Sequence, residues 1–218
     1  MKTQLTELVF ILDRSGSMGG LEDDTINGFN AMLADQQNGR GQALVTTVLF
    51  DDRYELLHDR ANIQHIRPIT RQNYFVRGGT ALLDAIGKTI KKTERIHRYG
   101  LMAYRPSKTL FVITTDGMEN ASRFYSYETV KAMIEYQQSA FGWEFLFLGA
   151  NIDAIHTARR MGIHADRAAN YFADKEGVFL KDEIVNKTIT GFREEGHFDK
   201  NWKASLEEEE LKRKGLAG

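Results

Sequence analysis

An unbroken apolar run that leads directly into an oxygen-rich loop constrains the fold of this chain more than any other feature. Residues 8–12 are Leu-Val-Phe-Ile-Leu, and Asp13, Ser15 and Ser17 follow in an Asp-x-Ser-x-Ser pattern. An apolar run of this length, bounded by turn residues, is typical of a strand buried on both faces. The pattern therefore predicts a central strand with one carboxylate and two hydroxyls at its carboxyl end, where open α/β sheets bind ligands.

The residue types in this loop indicate what it could bind. Carboxylates and hydroxyls are hard oxygen donors, and such donors suit Mg²⁺. The same residues are also typical of a Ser/Gly-rich turn that caps the following helix, because Asp and Ser are preferred N-cap residues. The loop taken alone is compatible with either interpretation.

Two further places along the chain have similar chemistry. Residues 109–113 form a second apolar run, and Asp116 follows it in the sequence Thr-Thr-Asp-Gly. Thr80 follows a Gly-Gly pair at the start of a helical pattern over residues 81–97, so we expect it to be exposed at a loop end. The alternatives are an N-cap role for Thr80 and a simple turn at Asp116.

The order of the apolar patterns predicts the fold class. Strand and helix patterns alternate, and an Asp-Asp turn joins two of the strands as a hairpin. We therefore expect an α/β fold with a doubly wound, mostly parallel sheet, one antiparallel edge hairpin and helices on both faces. Right-handed crossovers would place Asp13 and Asp116 at one crevice. The predicted strands cover residues 8–12, 43–50, 53–57, 109–113, 143–148 and 168–171. The predicted helices cover residues 21–37, 81–97, 126–140 and 174–190, and a further short helix follows residue 151. Residues 58–79 are expected to be irregular.

The last part of the chain differs in character from the rest. We predict one domain over residues 1–191 and a charged, partly helical C-terminal extension over residues 192–218. Ser205 and Glu208 have the spacing of a capping box, which predicts a solvated helix over residues 205–214. The apolar residues of this extension are isolated from one another, namely Phe198, Trp202 and Leu206. The sequence leaves open whether the extension as a whole is docked, free or a partner surface.

Composition excludes several classes of function. The chain has 218 residues, 42% of them hydrophobic, which suits one α/β domain of ordinary size. It has no cysteine, which excludes disulfides, thiol nucleophiles and cysteine-bound metal centres. With 29 basic and 30 acidic residues its formal net charge is −1, so no strong field attracts nucleic acid or an anionic membrane. The first apolar run is too short for a signal peptide or a membrane span, and we expect a cytoplasmic protein.

Three separated motifs together resemble the metal-ion-dependent adhesion site (MIDAS) of von Willebrand factor type A (VWA) domains. The residues that carry the resemblance are Asp13, Ser15 and Ser17 in Asp-x-Ser-x-Ser, Thr80 in Gly-Gly-Thr-Ala-Leu, and Asp116 in Thr-Thr-Asp-Gly. They match the family site without a substitution, and the order of elements is similar to a VWA domain over residues 5–190. In size and simplicity the chain resembles the small intracellular bacterial members of the family.

The resemblance implies a role for each residue. Ser15 and Ser17 would be direct hydroxyl ligands of Mg²⁺, with Mn²⁺ or Ca²⁺ as alternative ions. Thr80 would be a mobile ligand that contacts the metal directly in an open form and through water in a closed form. Asp13 and Asp116 would hold metal-bound waters and neutralise charge.

The function implied by the resemblance is Mg²⁺-dependent binding of a partner protein, which offers an Asp or Glu to the metal. One alternative is a metal-dependent phosphatase or other hydrolase, although no histidine lies at metal or base spacing. Another is a subunit of a larger, chelatase-like or RNA-particle-like assembly, without a phosphate-binding loop of its own. Glu22, Asp23 and Asp24 after the loop are either a favourable helix start or an acidic rim with an additional cation site. We expect neither nucleic acid nor membrane as a partner, and the sequence does not predict an oligomeric state.

Overall fold

One six-stranded sheet forms the centre of the computed structural model, which describes residues 5–215. The strands are β1 (Leu5–Asp13), β2 (Gln42–Phe50), β3 (Tyr54–Asn62), β4 (Lys108–Thr115), β5 (Glu144–Gly149) and β6 (Ala168–Asn170). They lie in the order β3-β2-β1-β4-β5-β6, and all neighbouring pairs are parallel except β2 with β3. The central position of β1 and its pairing with β4 are as predicted.

Helices cover both faces of the sheet. They are α1 (Glu22–Asn38), α2 (Leu82–Tyr99), α3 (Tyr127–Phe141), α4 (Ala154–Arg160), α5 (Lys175–Glu195) and α6 (Ala204–Arg213). Along β1, Leu8 and Phe10 pack in the core beneath α1 and α5, whereas Val9 and Ile11 pack in the core beneath α2 and α3. Both faces of β1 are therefore buried, which explains its unbroken apolar run. The predicted fold class is confirmed.

The edge strand β3 is longer than the sequence predicted. It extends over residues 58–62, which we expected to be irregular because they are polar. At the sheet edge most side chains of β3 are only partly buried, so this strand does not need an apolar pattern. The pairing of β3 with β2 is also irregular, with a register shift near Thr47 and a positive φ of 46° at Arg60.

Three apolar residues of the C-terminal segment pack on the core. Phe198, Trp202 and Leu206 are all buried in the cluster beneath α1 and α5. The Trp202 side chain also donates a hydrogen bond from Nε1 to the carbonyl of Asp166 at 2.7 Å. Phe198 and Trp202 precede α6, and Leu206 is the one buried residue within α6. The predicted helix over residues 205–214 is therefore largely exposed, as expected, while the residues before it dock on the core.

The start of α6 also differs from the expected one. The N-cap residue is Lys203 and no side chain caps the helix, so Ser205 lies inside α6 and the predicted capping box is wrong. The division of the chain at residue 191 stays a prediction, and α5 itself runs through that residue. Residues 1–4 and 216–218, which belong to the predicted domain and extension, lie outside the described part of the chain.

The packing of α6 can be tested with one buried and one exposed leucine. Leu206→Ala should lower the free energy of unfolding by about 2 kcal/mol, because it leaves a cavity in the core. Leu211→Ala, on the same helix but 47% exposed, should change it by less than about 0.5 kcal/mol. Urea unfolding measures both; equal effects would mean that α6 is not packed as described.

Within residues 5–215, no helix combines the length and the apolar character needed to cross a membrane.

Candidate metal-binding site

The candidate site lies at the carboxyl ends of the two central strands. Asp13 is the last residue of β1, and Asp116 follows directly after β4. Because β1 and β4 are parallel neighbours, with Leu12 opposite Thr114, their carboxyl ends meet at one edge of the sheet. The two aspartates therefore reach the same place, as the crossover argument predicted.

Three hydroxyl groups converge between these strand ends. Ser15 Oγ and Ser17 Oγ are 3.0 Å apart, and Thr80 Oγ1 donates to Ser15 Oγ at 3.0 Å. Ser17 Oγ donates to Asp116 Oδ1 at 2.5 Å. Asp13 joins the group through its Oδ1, which accepts from the backbone N–H of Ser15 at 2.7 Å. The structure thus brings together all five residues that the sequence singled out.

Both carboxyl groups of the cluster are buried. Asp13 and Asp116 are each only 1% exposed, and burial raises the pKa of Asp13 to about 6, although hydrogen bonds from Thr115 and Ser15 work against that rise. Burial likewise raises the pKa of Asp116, while the hydrogen bond from Ser17 lowers it. Two buried acidic groups with raised pKa values favour a compensating positive charge between them.

Two observations test whether these residues fit a metal ion. Asp116 Oδ2 is buried, and no hydrogen-bond partner is found for it among residues 5–215. A Cβ added at Gly117 would lie 2.9 Å from Ser17 Oγ and 3.2 Å from Thr80 Oγ1, so only glycine leaves the space beside the hydroxyls open. The donor set, two carboxylates and three hydroxyls, fits a hard divalent cation such as Mg²⁺.

Metal sites of other composition are not evident in the same part of the chain. Histidine, cysteine, aspartate and glutamate side chains form no group of three or more that could hold a metal ion within residues 5–215. The candidate site has only two such side chains, and its remaining oxygen donors are hydroxyls.

Thr80 is neither exposed nor an N-cap. It is 2% exposed, and α2 begins two residues later with Ala81 as its N-cap. Asn120 explains the burial: its Oδ1 accepts from the Thr80 N–H at 2.9 Å, and its own backbone N–H donates to the Thr80 carbonyl at 3.1 Å. The predicted exposure of Thr80 is therefore wrong, because the segment after β4 folds over the loop that carries it.

Other residues that position the site were not predicted. Thr115 donates its hydroxyl proton to Asp13 Oδ2 at 2.5 Å, and Tyr74 donates to the Asp13 carbonyl at 2.5 Å. Glu119 accepts from the N–H groups of Leu83 and Ser122, which ties the start of α2 to the segment after β4. Of these contacts, only the one from Thr115 had a signal in the sequence, because Thr115 lies directly before Asp116 in the Thr-Thr-Asp-Gly motif.

A buried ion pair holds the loop that carries the two serines. Arg14 is fully buried, and its Nε donates to Asp51 Oδ2 at 2.9 Å while its Nη2 donates to Glu55 at 2.7 Å. Arg77 also donates to Asp51, at 2.7 Å. Burial opposes ionisation of Asp51, yet the hydrogen bonds from Arg77 and the Arg53 backbone and the charge of Arg14 hold its pKa below the usual value.

The acidic residues after the loop lie in the first turn of α1. Glu22 accepts from the backbone N–H of Gly20 at 2.7 Å, and Asp23 pairs with Arg71 at the surface. Acidic side chains at a helix N-terminus interact favourably with the helix dipole. The helix-start interpretation accounts for these contacts without an additional cation.

Comparisons with known proteins show a likeness of fold. No protein-family model and no curated protein matches the sequence. A von Willebrand factor type A protein from Catenulispora acidiphila matches with a TM-score of 0.54 and 16% identity, over 87% of this chain and 43% of that one. The pilus adhesin SpaC from Lactobacillus rhamnosus GG matches with a TM-score of 0.64 and 12% identity, over 85% and 30%. The TRAP protein of Plasmodium vivax, solved loaded with manganese, matches with a TM-score of 0.52 and 14% identity, over 83% and 72%.

These similarities show that the chain has the VWA fold. Their sequence identities of 12–16% are too low to indicate anything beyond a shared fold. This chain also spans less than half of the length of the Catenulispora protein and of SpaC, so the likeness concerns only part of each of those two proteins.

Proposed function

We propose that this chain is a metal-dependent protein-binding module, in which a MIDAS-like site holds Mg²⁺ and the metal accepts a carboxylate from a partner protein. The observation that carries the proposal is the convergence of Ser15, Ser17 and Thr80 hydroxyls beside two buried aspartates. Structures of a manganese-loaded protein and of an adhesin with the same fold support it.

The donor set favours binding of an acidic group. Neutral hydroxyls donate less charge to a cation than carboxylates do, so a metal held mainly by Ser15, Ser17 and Thr80 keeps much of its attraction for an anion. Asp13 and Asp116 supply negative charge from behind these hydroxyls. A bound Mg²⁺ would supply one electrophilic position, and an Asp or Glu side chain is the protein group that suits it.

Metal and partner should strengthen each other's binding. Hydroxyl ligands are weak, so we expect a modest affinity for the metal alone. A partner carboxylate that binds the metal raises the metal affinity by the same factor by which the metal raises the partner affinity. Mn²⁺ has the same ligand preferences as Mg²⁺ and should replace it, and Ca²⁺ is the alternative with more ligands at longer distances.

A binding function fits the surroundings of the cluster better than hydrolysis does. A hydrolase needs a base within hydrogen-bond reach of the attacking group, most often a histidine. The cluster carboxylates already accept hydrogen bonds from Ser15, Thr115 and Ser17. His97, His164 and His197 contact carboxylates elsewhere, on Glu7, Asp166 and Glu195. No residue of the cluster hydrogen bonds with a histidine in the described part of the chain.

A peptide library displayed on phage tests the proposal directly. Peptides selected on the wild-type chain with Mg²⁺ and released by EDTA should contain an Asp or Glu, and replacing that residue with Asn or Gln should abolish binding. Thr80→Ala should weaken binding of a selected peptide by about tenfold, equal to ~1.4 kcal/mol, through loss of one oxygen ligand.

Matched variants separate a lost ligand from a disturbed fold. Thr80→Ser keeps the hydroxyl and should bind like the wild type, and Asp116→Ala should not bind. If Thr80→Ala binds the peptide as well as Thr80→Ser does, the assignment of Thr80 as a ligand is wrong. If EDTA releases no acidic peptides, the site does not act through a metal-bound carboxylate.

A further inference from the structure

A pocket lies directly beside the candidate metal site, along the start of α2. Four of its lining residues follow one another at intervals of three, one and three, which places them on one face of the helix, namely Ala81, Asp84, Ala85 and Lys88. The volume of the pocket is about 520 Å³, within the roughly 300–1,000 Å³ of typical ligand sites. Ala81 follows Thr80 in the chain, so one end of the pocket begins about 3.8 Å from the backbone of a proposed metal ligand.

Aromatic side chains form much of the wall of this pocket. Tyr54, at the start of β3, lines it together with Phe124 and Tyr125 from the segment after β4. Tyr125 packs so closely on α2 that a Cβ added at Gly87 would lie 2.3 Å from its ring. Phe124, in contrast, is 84% exposed. The pocket therefore combines a packed aromatic wall with one phenylalanine whose ring has little cover.

The backbone that carries Phe124 is fixed although its side chain is exposed. Asp84 Oδ1 accepts from the N–H groups of Phe124 and Tyr125, and Asp84 Oδ2 accepts from that of Arg123, all at 2.9 Å. The Asp84 N–H donates in turn to Ser122 Oγ at 3.0 Å. These four bonds attach the segment to the first turn of α2. Because the segment is already ordered, a partner that covers Phe124 pays little of the usual entropy cost of ordering a loop.

Two cations, Arg53 and Lys88, also line the pocket, and neither forms an ion pair within residues 5–215. The Lys88 ammonium lies over the Tyr54 ring, 4.2 Å from its centroid. A second ring beside the same ammonium would be attracted in the same way. The Asp52 carboxyl lies at the metal end of the pocket, because a Cβ added at Gly78 would be 2.4 Å from its Oδ1. The end away from the metal is therefore cationic, which suits a ring carried by an acidic segment.

We propose that this pocket binds an aromatic side chain of the partner protein, within three residues of the Asp or Glu that reaches the metal. The ring packs against Phe124 and Tyr54 and lies beside the Lys88 ammonium. The helix face from Ala81 to Lys88 extends over about 10 Å, and an extended segment of three residues spans about the same distance. The inference rests on the proposed metal-dependent function and adds a second element by which the partner is recognised.

Peptides displayed on phage, each with one fixed Asp and randomised neighbours, test the proposal on the full chain. Those selected in Mg²⁺ and released by EDTA should be enriched in Phe, Tyr or Trp within three residues of the Asp. Replacing the aromatic residue of a selected peptide with Ala should weaken its binding to the wild type by about tenfold. The same replacement should weaken its binding to Phe124→Ala by less than about twofold, since the ring has already lost its main contact. Fluorescence anisotropy measures all four affinities.

Phe179→Ala provides the matched control, because Phe179 is also exposed, at 71%, but lies on α5 outside the pocket lining. It should keep the full preference for the aromatic peptide, and both variants should melt like the wild type. The proposal is overturned if the selected peptides need Mg²⁺ and the Asp but show no aromatic preference, or if Phe124→Ala keeps that preference. Either result leaves the metal site intact. If binding needs neither Mg²⁺ nor the Asp, the proposed function itself fails and this inference fails with it.

Discussion

Mg²⁺ should raise the melting temperature of the wild-type chain and leave that of Asp116→Asn unchanged. At a Mg²⁺ concentration about tenfold above the dissociation constant, binding to the folded state alone stabilises it by ~1.4 kcal/mol. For a chain of this size that corresponds to an increase of about 3–6 °C. The amide oxygen of the introduced asparagine could still accept the hydrogen bond from Ser17, but the side chain would lack the negative charge.

The metal-free forms give a second readout for the same variant. Burial raises the pKa of both Asp13 and Asp116, so ionised carboxylates at these positions are unfavourable without a cation. Removing one charge in Asp116→Asn should therefore leave the metal-free protein at least as stable as the wild type. A residue needed only for the fold would instead destabilise the chain when replaced, with or without metal.

Asp23→Asn is the control for this experiment. Asp23 is exposed, pairs with Arg71 and lies in the first turn of α1. Differential scanning calorimetry in Mg²⁺ and in EDTA should show the wild-type increase in Asp23→Asn. A full Mg²⁺ response in Asp116→Asn would place the metal elsewhere, and its loss in Asp23→Asn would support an additional cation site at α1.

The central sheet and the main site residues could be predicted from the sequence because both depend on local patterns. The strand β1 is buried on both faces, so its apolar run is unbroken and readable. The parallel order of strands then brings Asp13 and Asp116 to one edge. The choice of Ser15, Ser17 and Thr80 as a single set depended on the family resemblance, since each motif alone also fits a turn or a cap.

Long-range polar contacts could not be predicted in the same way. Arg14 occupies a loop position where a charged residue is expected to face solvent, and only the fold brings Asp51 beside it, 37 residues away. Asn120 contacts Thr80 across 40 residues, and nothing in the local sequence of either indicates it. Such pairs depend on tertiary packing, which periodicity does not report.

The C-terminal segment is a different kind of case, because the spacing of its apolar residues does not correspond to one helix. Phe198, Trp202 and Leu206 are separated by four residues each, which is the spacing of one face of a helix. The high density of charge around them favoured a solvated interpretation. Phe198 and Trp202 lie before α6 and not on one face of a helix, so their burial depends on how the chain packs back on the core.

The largest loss of stability is expected for Arg14→Met. The Arg14 guanidinium is fully buried, and its removal leaves Asp51, also fully buried, with Arg77 as its remaining cation. Breaking a buried pair from one side typically costs about 3–5 kcal/mol, because the other charge remains out of water. Urea unfolding should show a loss in this range.

Arg77→Met and the double variant Arg14→Met/Asp51→Leu show whether the buried charge is the cause. Arg77 pairs with the same Asp51 oxygen, but its side chain is 34% exposed, so its removal should cost about 1 kcal/mol or less. Replacing Asp51 together with Arg14 removes the stranded charge and should recover part of the lost stability. Because Arg14 lies between Asp13 and Ser15, Arg14→Met should also weaken Mg²⁺ binding. If Arg14→Met costs no more than Arg77→Met, the buried ion pair does not hold the metal-site loop, and the hydrogen bonds from Tyr74 and Thr115 to Asp13 must do so instead.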